Sequence, residues 1–277
     1  IKNVETSGSV VYRYNDYNND TATDKNSDTD NNYKVALNLS SKVNEDVKFN
    51  SRFLVANEGG SFAGGKMDTQ NGGDSNPQVT LSHANFGYTG IANTTITAGK
   101  QGLTTPWTVA IDSDGNEQTG SGILALTTVG PVTLAAAYFN QTNLDKLDVN
   151  ASAFGNAKVA LGNSTDIATV GAIANLDAVT LDAWYLDLAE TFDSYTVGAK
   201  ADLDLSDVKL GVDARYASLN LDNVSDDNAM AKIALTAKAG IVNGKVAYAW
   251  TDKEGGLTAL DNDANTTLLG WNLTSNN

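Results

Sequence analysis

The spacing between alternating segments constrains this chain more than any single motif in it. Segments in which apolar and polar residues alternate recur along nearly the whole sequence. The links between them come in two sizes that take turns. Those at 44–46, 91–93, 129–131, 177–178, 206–207 and 241–243 are two or three residues long, whereas those at 18–32, 58–77, 102–120, 141–164, 221–227 and 254–264 are long. Only 191–193 breaks the order. A meander with short turns at one end and long loops at the other is the pattern of strands that cross an outer membrane. A soluble β-sandwich has no reason to sort its links in this way.

The alternation itself is clean. In "NYKVALNLSSKV" Tyr33, Val35, Leu37 and Leu39 share one face, and Lys34, Ala36, Asn38 and Ser40 the other. "DVKFNSRFLVAN" sets Val47, Phe49, Phe53 and Val55 against Lys48, Asn50, Arg52 and Leu54, with Ser51 the polar exception. "DVKLGVDARYASL" sets Val208, Leu210, Val212, Ala214 and Tyr216 against Lys209, Gly211, Asp213 and Arg215. Successive side chains on a strand point to opposite faces, so each segment has one apolar and one polar face. The pattern predicts strands at 6–17, 33–43, 47–57, 78–90, 94–101, 121–128, 132–140, 165–176, 179–190, 194–205, 208–220, 228–240, 244–253, and a last one starting near 265. There is no helical stripe and no run of eighteen apolar residues, which excludes a transmembrane helix but not membrane-crossing strands.

The expected fold is therefore all-β: a transmembrane antiparallel up-and-down β-barrel of the porin type. About fourteen strands are visible, against about 16–18 expected for a complete barrel. Residues 1–277 are read as one barrel domain whose C-terminal strands are missing, because the last segment ends in "GWNLTSNN". An open fourteen-strand sheet would leave two unpaired edges, which a bilayer does not tolerate.

The long loops and the link at 191–193 together carry the whole net charge of −15, so the strands and short turns are balanced. Acid and base on the polar face of a closed barrel would line a wet lumen. So negative a chain lacks the basic face that nucleic acid requires. Cys is absent, which removes disulfides, thiolate metal sites and Cys nucleophiles. The single His, His83, has no Ser/Asp arrangement or second His around it, and reads as structural or lumen-lining. The Gly-rich pieces "NEGGSFAGG" and "NGGDSN" lie in one long loop with no strand–loop–helix after them, so no phosphate cradle is expected. No enzyme chemistry is expected. Aromatic residues at strand ends, from Tyr12 and Tyr14 to Phe139, Trp184, Tyr248 and Trp250, suit interfacial girdles or, alternatively, an ordinary core.

The link at 102–120 is the third long loop, where general porins place the segment that narrows the pore. It holds Pro106 and Trp107, then "AIDSDGNEQ" with Asp112, Asp114 and Glu117. Clustered carboxylates suit a hard cation such as Ca²⁺. The D-x-D-G opening resembles an EF-hand loop, but the twelfth-position Glu is missing and the flanks are strands. The alternative is a solvated acidic loop. Basic residues on polar strand faces (Arg13, Lys34, Lys48, Arg52, Lys100, Lys200, Lys209, Arg215) either face that loop or pair with carboxylates on neighbouring strands. In the first case Asp114, Glu117, Arg13, Arg52, Lys34 and Lys100 form the constriction, and a transverse field sorts ions. The competing function is a cell-surface adhesin or another acidic, β-rich interaction protein. The two differ in the outward face, since a porin needs an apolar band about 25 Å tall on every strand.

The opening "VETSGSVVYRYND", the stretch "ITAGKQGL" with the "AIDSDGNEQTGSG" that follows it, and "GPVTLAAAYFN" resemble the major outer membrane protein porins of Campylobacter and related epsilonproteobacteria. The similarity runs in order through the full chain. It implies an outer-membrane general-diffusion porin, homotrimeric, passing small hydrophilic solutes and ions and preferring cations. It also implies a calcium ion held at the constriction by carboxylates from several loops. Carried over by position, Asp112 matches one ligand, Asp148 (or Asp145) a second, and Asp261 (or Asp263) a third. The expected surroundings are outer-membrane lipid and lipopolysaccharide, to which divalent cations would bridge the acidic loops.

Overall fold

The computed structural model describes residues 3–18, 27–56, 65–67, 77–113, 115–144, 166–222, 227–253, 258–261 and 263–267. Among them there is no α-helix. The strands are β1 (Val4–Asn18), β2 (Ser27–Lys42), β3 (Val47–Ala56), β4 (Gly65–Lys66), β5 (Gln78–Ile91), β6 (Thr94–Gly102) and β7 (Thr119–Val129). They continue with β8 (Val132–Thr142), β9 (Ile167–Leu176), β10 (Val179–Leu188), β11 (Phe192–Leu205), β12 (Val208–Leu221), β13 (Asp227–Ala239) and β14 (Val242–Thr251). All but β4 pair antiparallel with their chain neighbours in one up-and-down sheet, while β4 adds to β2 through Asn32 and Tyr33. Among the described residues β1 and β14 do not pair with each other.

The short links are tight. Asn93, Gly130, Asp177, Ser206 and Gly240 each take positive φ, which lets a two-residue turn follow the twist of its strands. At the first turn the Asn44 side chain does the equivalent work, accepting from the Asp46 and Val47 amides at 2.9 and 2.8 Å.

Two expectations need correction at the long-loop end. The link 18–32 is shorter than read, because the β1–β2 ladder continues through Asp30↔Asn15 to Ser27↔Asn18. That hairpin extension carries polar residues on both faces, so it shows no apolar alternation to mark it as strand. The strand expected near 265 does not begin there either: residues 263–267 form a turn, and 268–277 lie outside the described residues.

One face of the sheet exposes large apolar side chains from β1 to β14, among them Val10, Leu37, Phe86, Tyr138, Val170, Leu235 and Val246. The Ala-rich strands β9 and β13 contribute to it through Val170, Ile233 and Leu235. Aromatic pairs lie on the same face: Phe49–Phe86, Tyr195–Tyr216 and Tyr248–Trp250, with ring centroids 5.2, 5.9 and 5.6 Å apart. Phe139 and Trp184 do not join that outer set. Phe139 belongs to the buried cluster and Trp184 packs against it.

The apolar core lies inside the curve of the sheet, not between two layers. It joins Phe139, Ile167, Leu186, Leu188, Phe192, Leu219 and Leu221 of β8–β12 to Leu103, Trp107, Leu144 and Leu260 from loops. Loops tucked onto the inner wall thus supply four of the eleven side chains of this cluster, and this is what positions the site.

Candidate functional site

The segment between β6 and β7 folds back over the inner wall. Its first anchor is a turn at 105–108. Thr105 and Thr108 exchange backbone hydrogen bonds at 3.4 and 3.3 Å, and their hydroxyls meet at 2.8 Å. Pro106 fixes the backbone at the turn's second position, and Trp107 is thrown into the core, where it is wholly buried. Its Nε1 donates to Ser194 Oγ at 2.7 Å. The opposite edge of the turn is capped by residues of the described segments 258–261 and 263–267. Leu260 N donates to Trp107 O at 2.9 Å, and the Thr266 amide and hydroxyl donate to Pro106 O at 3.0 and 3.1 Å. At the other end a Cβ on Gly120 would stand 2.8 Å from Leu103 Cδ2 and 2.9 Å from Phe139 Cδ1, so the loop's return to β7 needs glycine there.

The second anchor is Glu117, which is buried. Arg52 reaches it as a fork, Nη2 to Oε1 at 2.7 Å and Nε to Oε1 and Oε2 at 3.0 and 3.1 Å. Lys34 Nζ lies 3.7 Å from Oε1 and donates to Gly115 O at 2.7 Å. Ser82 Oγ donates to Oε2, and His83 Nδ1 stands 3.9 Å from it. The ladder between β3 and β5 shifts register between Arg52/Phe53, which is how two consecutive residues, Ser82 and His83, both reach the same carboxylate. Asn143 Nδ2 donates to Glu117 O at 2.7 Å. Burial would raise the Glu117 carboxyl, but hydrogen bonds from Arg52 and Ser82 and the charges of Arg52 and Lys34 outweigh it and hold its pKa below the ordinary glutamate value.

The remaining acids form a separate group. Asp112 accepts from Asn116, at 2.7 Å from the amide and 2.8 Å from Nδ2, closing the loop tip on itself. Asp263 Oδ2 accepts from the Ser113 amide at 2.5 Å, and Asp261 accepts from Gln118 Nε2 and from the Asp263 amide. Burial, together with the charges of Asp112 and Asp263, raises the Asp261 carboxyl above its ordinary value despite those hydrogen bonds. No three acidic or histidine side chains converge as ready metal ligands among the described residues. The Asp112–Asp261 pair nonetheless presents crowded oxygen donors, and a hard cation fits such a donor set.

Lys34, Arg52 and Glu117 of the expected constriction set thus come together, as do Asp112 and Asp261, in two different clusters. Lys100 Nζ donates to Leu81 O at 2.8 Å, tying it to β5. Arg13 lies exposed on β1 opposite Asn32. Asp114, Asp145 and Asp148 lie outside the described residues. Sequence reading gave no role to Ser82, Asn38, Asn143 or Ser194, whose partners are distant in the chain. It also missed the bridge between Arg215 and Asp182, made by Nη2 at 2.7 Å and Nη1 at 2.9 Å. These two residues flank Gly198 on β11, where a Cβ would come within 2.3 Å of Arg215 Nη2 and 2.4 Å of Asp182 Oδ1. Below the loop, a chamber of about 470 Å³ separates Thr104, Thr105 and Pro106 from the wall at Leu124, Ala137, Trp184, Lys200 and Arg215.

The family described as Campylobacter major outer membrane protein matches residues 1–270. No curated protein matches the chain. Among solved structures, Acinetobacter baumannii OccAB3 superposes with a TM-score of 0.73 at 14% identity, over 98% of this chain and 72% of that one. Pseudomonas aeruginosa OccK2 (OpdF) gives 0.66 at 12%, over 91% of this chain and 65% of that one. A BenF-like porin from Pseudomonas fluorescens Pf-5 gives 0.64 at 16%, over 89% and 67%. The chain thus spans a little under two thirds of OccK2. At these identities the likeness carries the fold, which is that of outer-membrane porin barrels.

Proposed function

Since the chain belongs to the Campylobacter major outer membrane protein family, whose place is the Gram-negative outer membrane, we propose that it is a diffusion porin narrowed by its third long loop. One observation carries this reading: Trp107 and Glu117 pin the loop to opposite stretches of the inner wall, β10–β12 and β2–β5, so that it crosses the lumen between them. Small hydrophilic solutes pass where the loop leaves space, and the apolar outer face meets lipid.

The two clusters give the passage its electrical character. At β2–β3 the cations Lys34 and Arg52 exceed Glu117 by one charge. At the loop tip Asp112, Asp261 and Asp263 bring three carboxylates together, with the charge of Lys34 acting on Asp112 from the wall. Such a field orients dipolar solutes, and the acidic side favours cations. Asp112 and Asp261, with Asp148 as a third donor, are the residues that would hold a calcium ion, which when bound neutralises the acidic tip and ties loop 103–118 to the segment at 258–267. The family relationship also supports assembly as a homotrimer.

The test is conductance of the full-length, detergent-extracted protein in a planar bilayer under a salt gradient. Stepwise openings in threes with a cation-preferring reversal potential are expected. Absence of channels from protein shown to be folded would overturn the porin reading in favour of a surface-interaction role.

A further inference from the structure

We propose that Glu117 is the positioning residue of the loop: a buried latch to the β2–β3–β5 wall, and not one of the charges that passing ions meet. The electrical part of its test rests on the porin reading; the structural part does not.

Both carboxylate oxygens are already taken. Oε1 faces the Arg52 fork and Lys34, and Oε2 faces Ser82, Arg52 Nε and His83. A buried carboxylate held by three donors from the wall has little left to offer an ion in the lumen. Its partners are themselves fixed. Arg52 Nη1 donates to Asn38 Oδ1 at 2.9 Å, and Lys34 Nζ to Gly115 O at 2.7 Å. The loop residues on either side of Glu117 are then held through the backbone, since Asn143 contacts Glu117 O and the Thr119 amide.

The latch is also chemically independent of the other anchor. Trp107 holds by apolar burial on β8–β12 and one hydrogen bond, whereas Glu117 holds by charge on strands earlier in the chain. Loss of one therefore leaves the other in place, and the loop swings instead of leaving the lumen. Neutralising Glu117 would strand Arg52 and Lys34 in a dry site, which favours lifting the loop to let water in. It would also uncover two cations. A filter carboxylate would lose cation preference on neutralisation without any change in loop order, so the two roles separate.

The experiment is hydrogen exchange by mass spectrometry on the full chain in detergent, paired with single-channel recording of the same samples. In Glu117→Gln, amides at 115–119 should exchange about 10- to 100-fold faster than in the parent, the range set by losing charge-assisted hydrogen bonds. Current noise should rise, and the reversal potential should shift toward anions. The double variant Arg52→Gln with Glu117→Gln restores the local charge but not the latch. Its reversal potential should return toward the parent value while exchange stays fast. Unchanged exchange in Glu117→Gln would overturn the proposal, whatever the selectivity does. Fast exchange from a folded protein that forms no channels would overturn the porin reading and leave the latch standing. Should Glu117→Gln fail to fold, Ser82→Ala removes a single donor; a smaller acceleration at the same amides supports the latch, and none overturns it.

Discussion

Trp107 and Ser194 are joined by a hydrogen bond of 2.7 Å, indole N–H to hydroxyl, and Ser194 in turn donates to Ser218 O at 2.6 Å. A loop side chain thereby enters the polar ladder of β11 and β12 at a point where water does not reach. The indole's one polar atom is satisfied while the rest of the ring is buried among Leu186, Leu219 and Leu260.

This arrangement ranks three substitutions. Trp107→Ala empties the site and should cost on the order of 3–5 kcal/mol. Ser194→Ala leaves a buried indole N–H without an acceptor and should cost about 1–3 kcal/mol. Trp107→Phe keeps most of the packing and orphans no donor, so it should cost least. Urea unfolding, or the heat-modified gel shift of the detergent-extracted barrel, gives the order; Phe falling below Ala would contradict it.

Gly198 is the second place where a small change should have a large effect. Arg215 crosses β11 to reach Asp182, and only an absent side chain leaves room for it. Arg215 also donates to Thr196 Oγ1 at 3.1 Å, so the guanidinium is locked in place. Gly198→Ala should part the ion pair and destabilise by about 3–5 kcal/mol, the usual effect of leaving a buried charge alone. Gly198→Ala combined with Arg215→Met and Asp182→Leu should recover much of that loss. A single variant as stable as the parent would show that the bridge does not depend on Gly198.

How far these features are legible in the sequence follows from their range. Alternation is a local property, so strands such as β3, β6, β8 and β12 fall where the period of two places them. The parity of short and long links gave the up-and-down order for the same reason. The polar hairpin above Tyr12 and Tyr33 and the two-residue β4 carry no period, and the sequence could not mark them. The site is harder still. Arg52 and Glu117 stand 65 positions apart, and Ser82 reaches the same carboxylate only through a register shift that no residue type announces. Alternation placed Lys34 and Arg52 on polar faces, but it could not say that Glu117 is the carboxylate that closes on both. Trp107 was visible as a lone indole in a polar loop, and that was the one local sign of an anchor.

The acid response of Glu117 follows from its depressed pKa. A carboxyl whose folded pKa lies below its unfolded one contributes stability above the unfolded value and loses it as pH falls through the folded value. The latch should therefore hold from neutral pH down to the ordinary glutamate value of about 4.3 and weaken only in stronger acid. Current noise from the loop, recorded from pH 7 downward, should stay flat to about pH 4.3 and rise beneath it. A rise beginning well above that value would point to a group other than Glu117 in control.

Asp261 has the opposite sign, and this gives the calcium expectation its sharpest test. Its folded pKa is raised, chiefly by burial and then by the charges of Asp112 and Asp263. Ionised at neutral pH, it therefore subtracts stability, and protonation gives that stability back as pH falls through the raised value. Calcium at Asp112 and Asp261 would relieve the same repulsion without a proton. It should stabilise the protein at pH 7 against a chelator control, by an amount that grows with the logarithm of its concentration above the dissociation constant. The gain should shrink in acid as protons compete for the same oxygens. Asp112→Asn should then do two things at once. The Asp261 carboxyl should lose part of its upward shift, because a like-charged neighbour is gone, and the calcium-dependent gain should fall. If the variant kept the parent's full calcium-dependent gain, Asp112 would not be a ligand. If the titration of Asp261 were also unchanged, the two carboxylates would not be coupled at all.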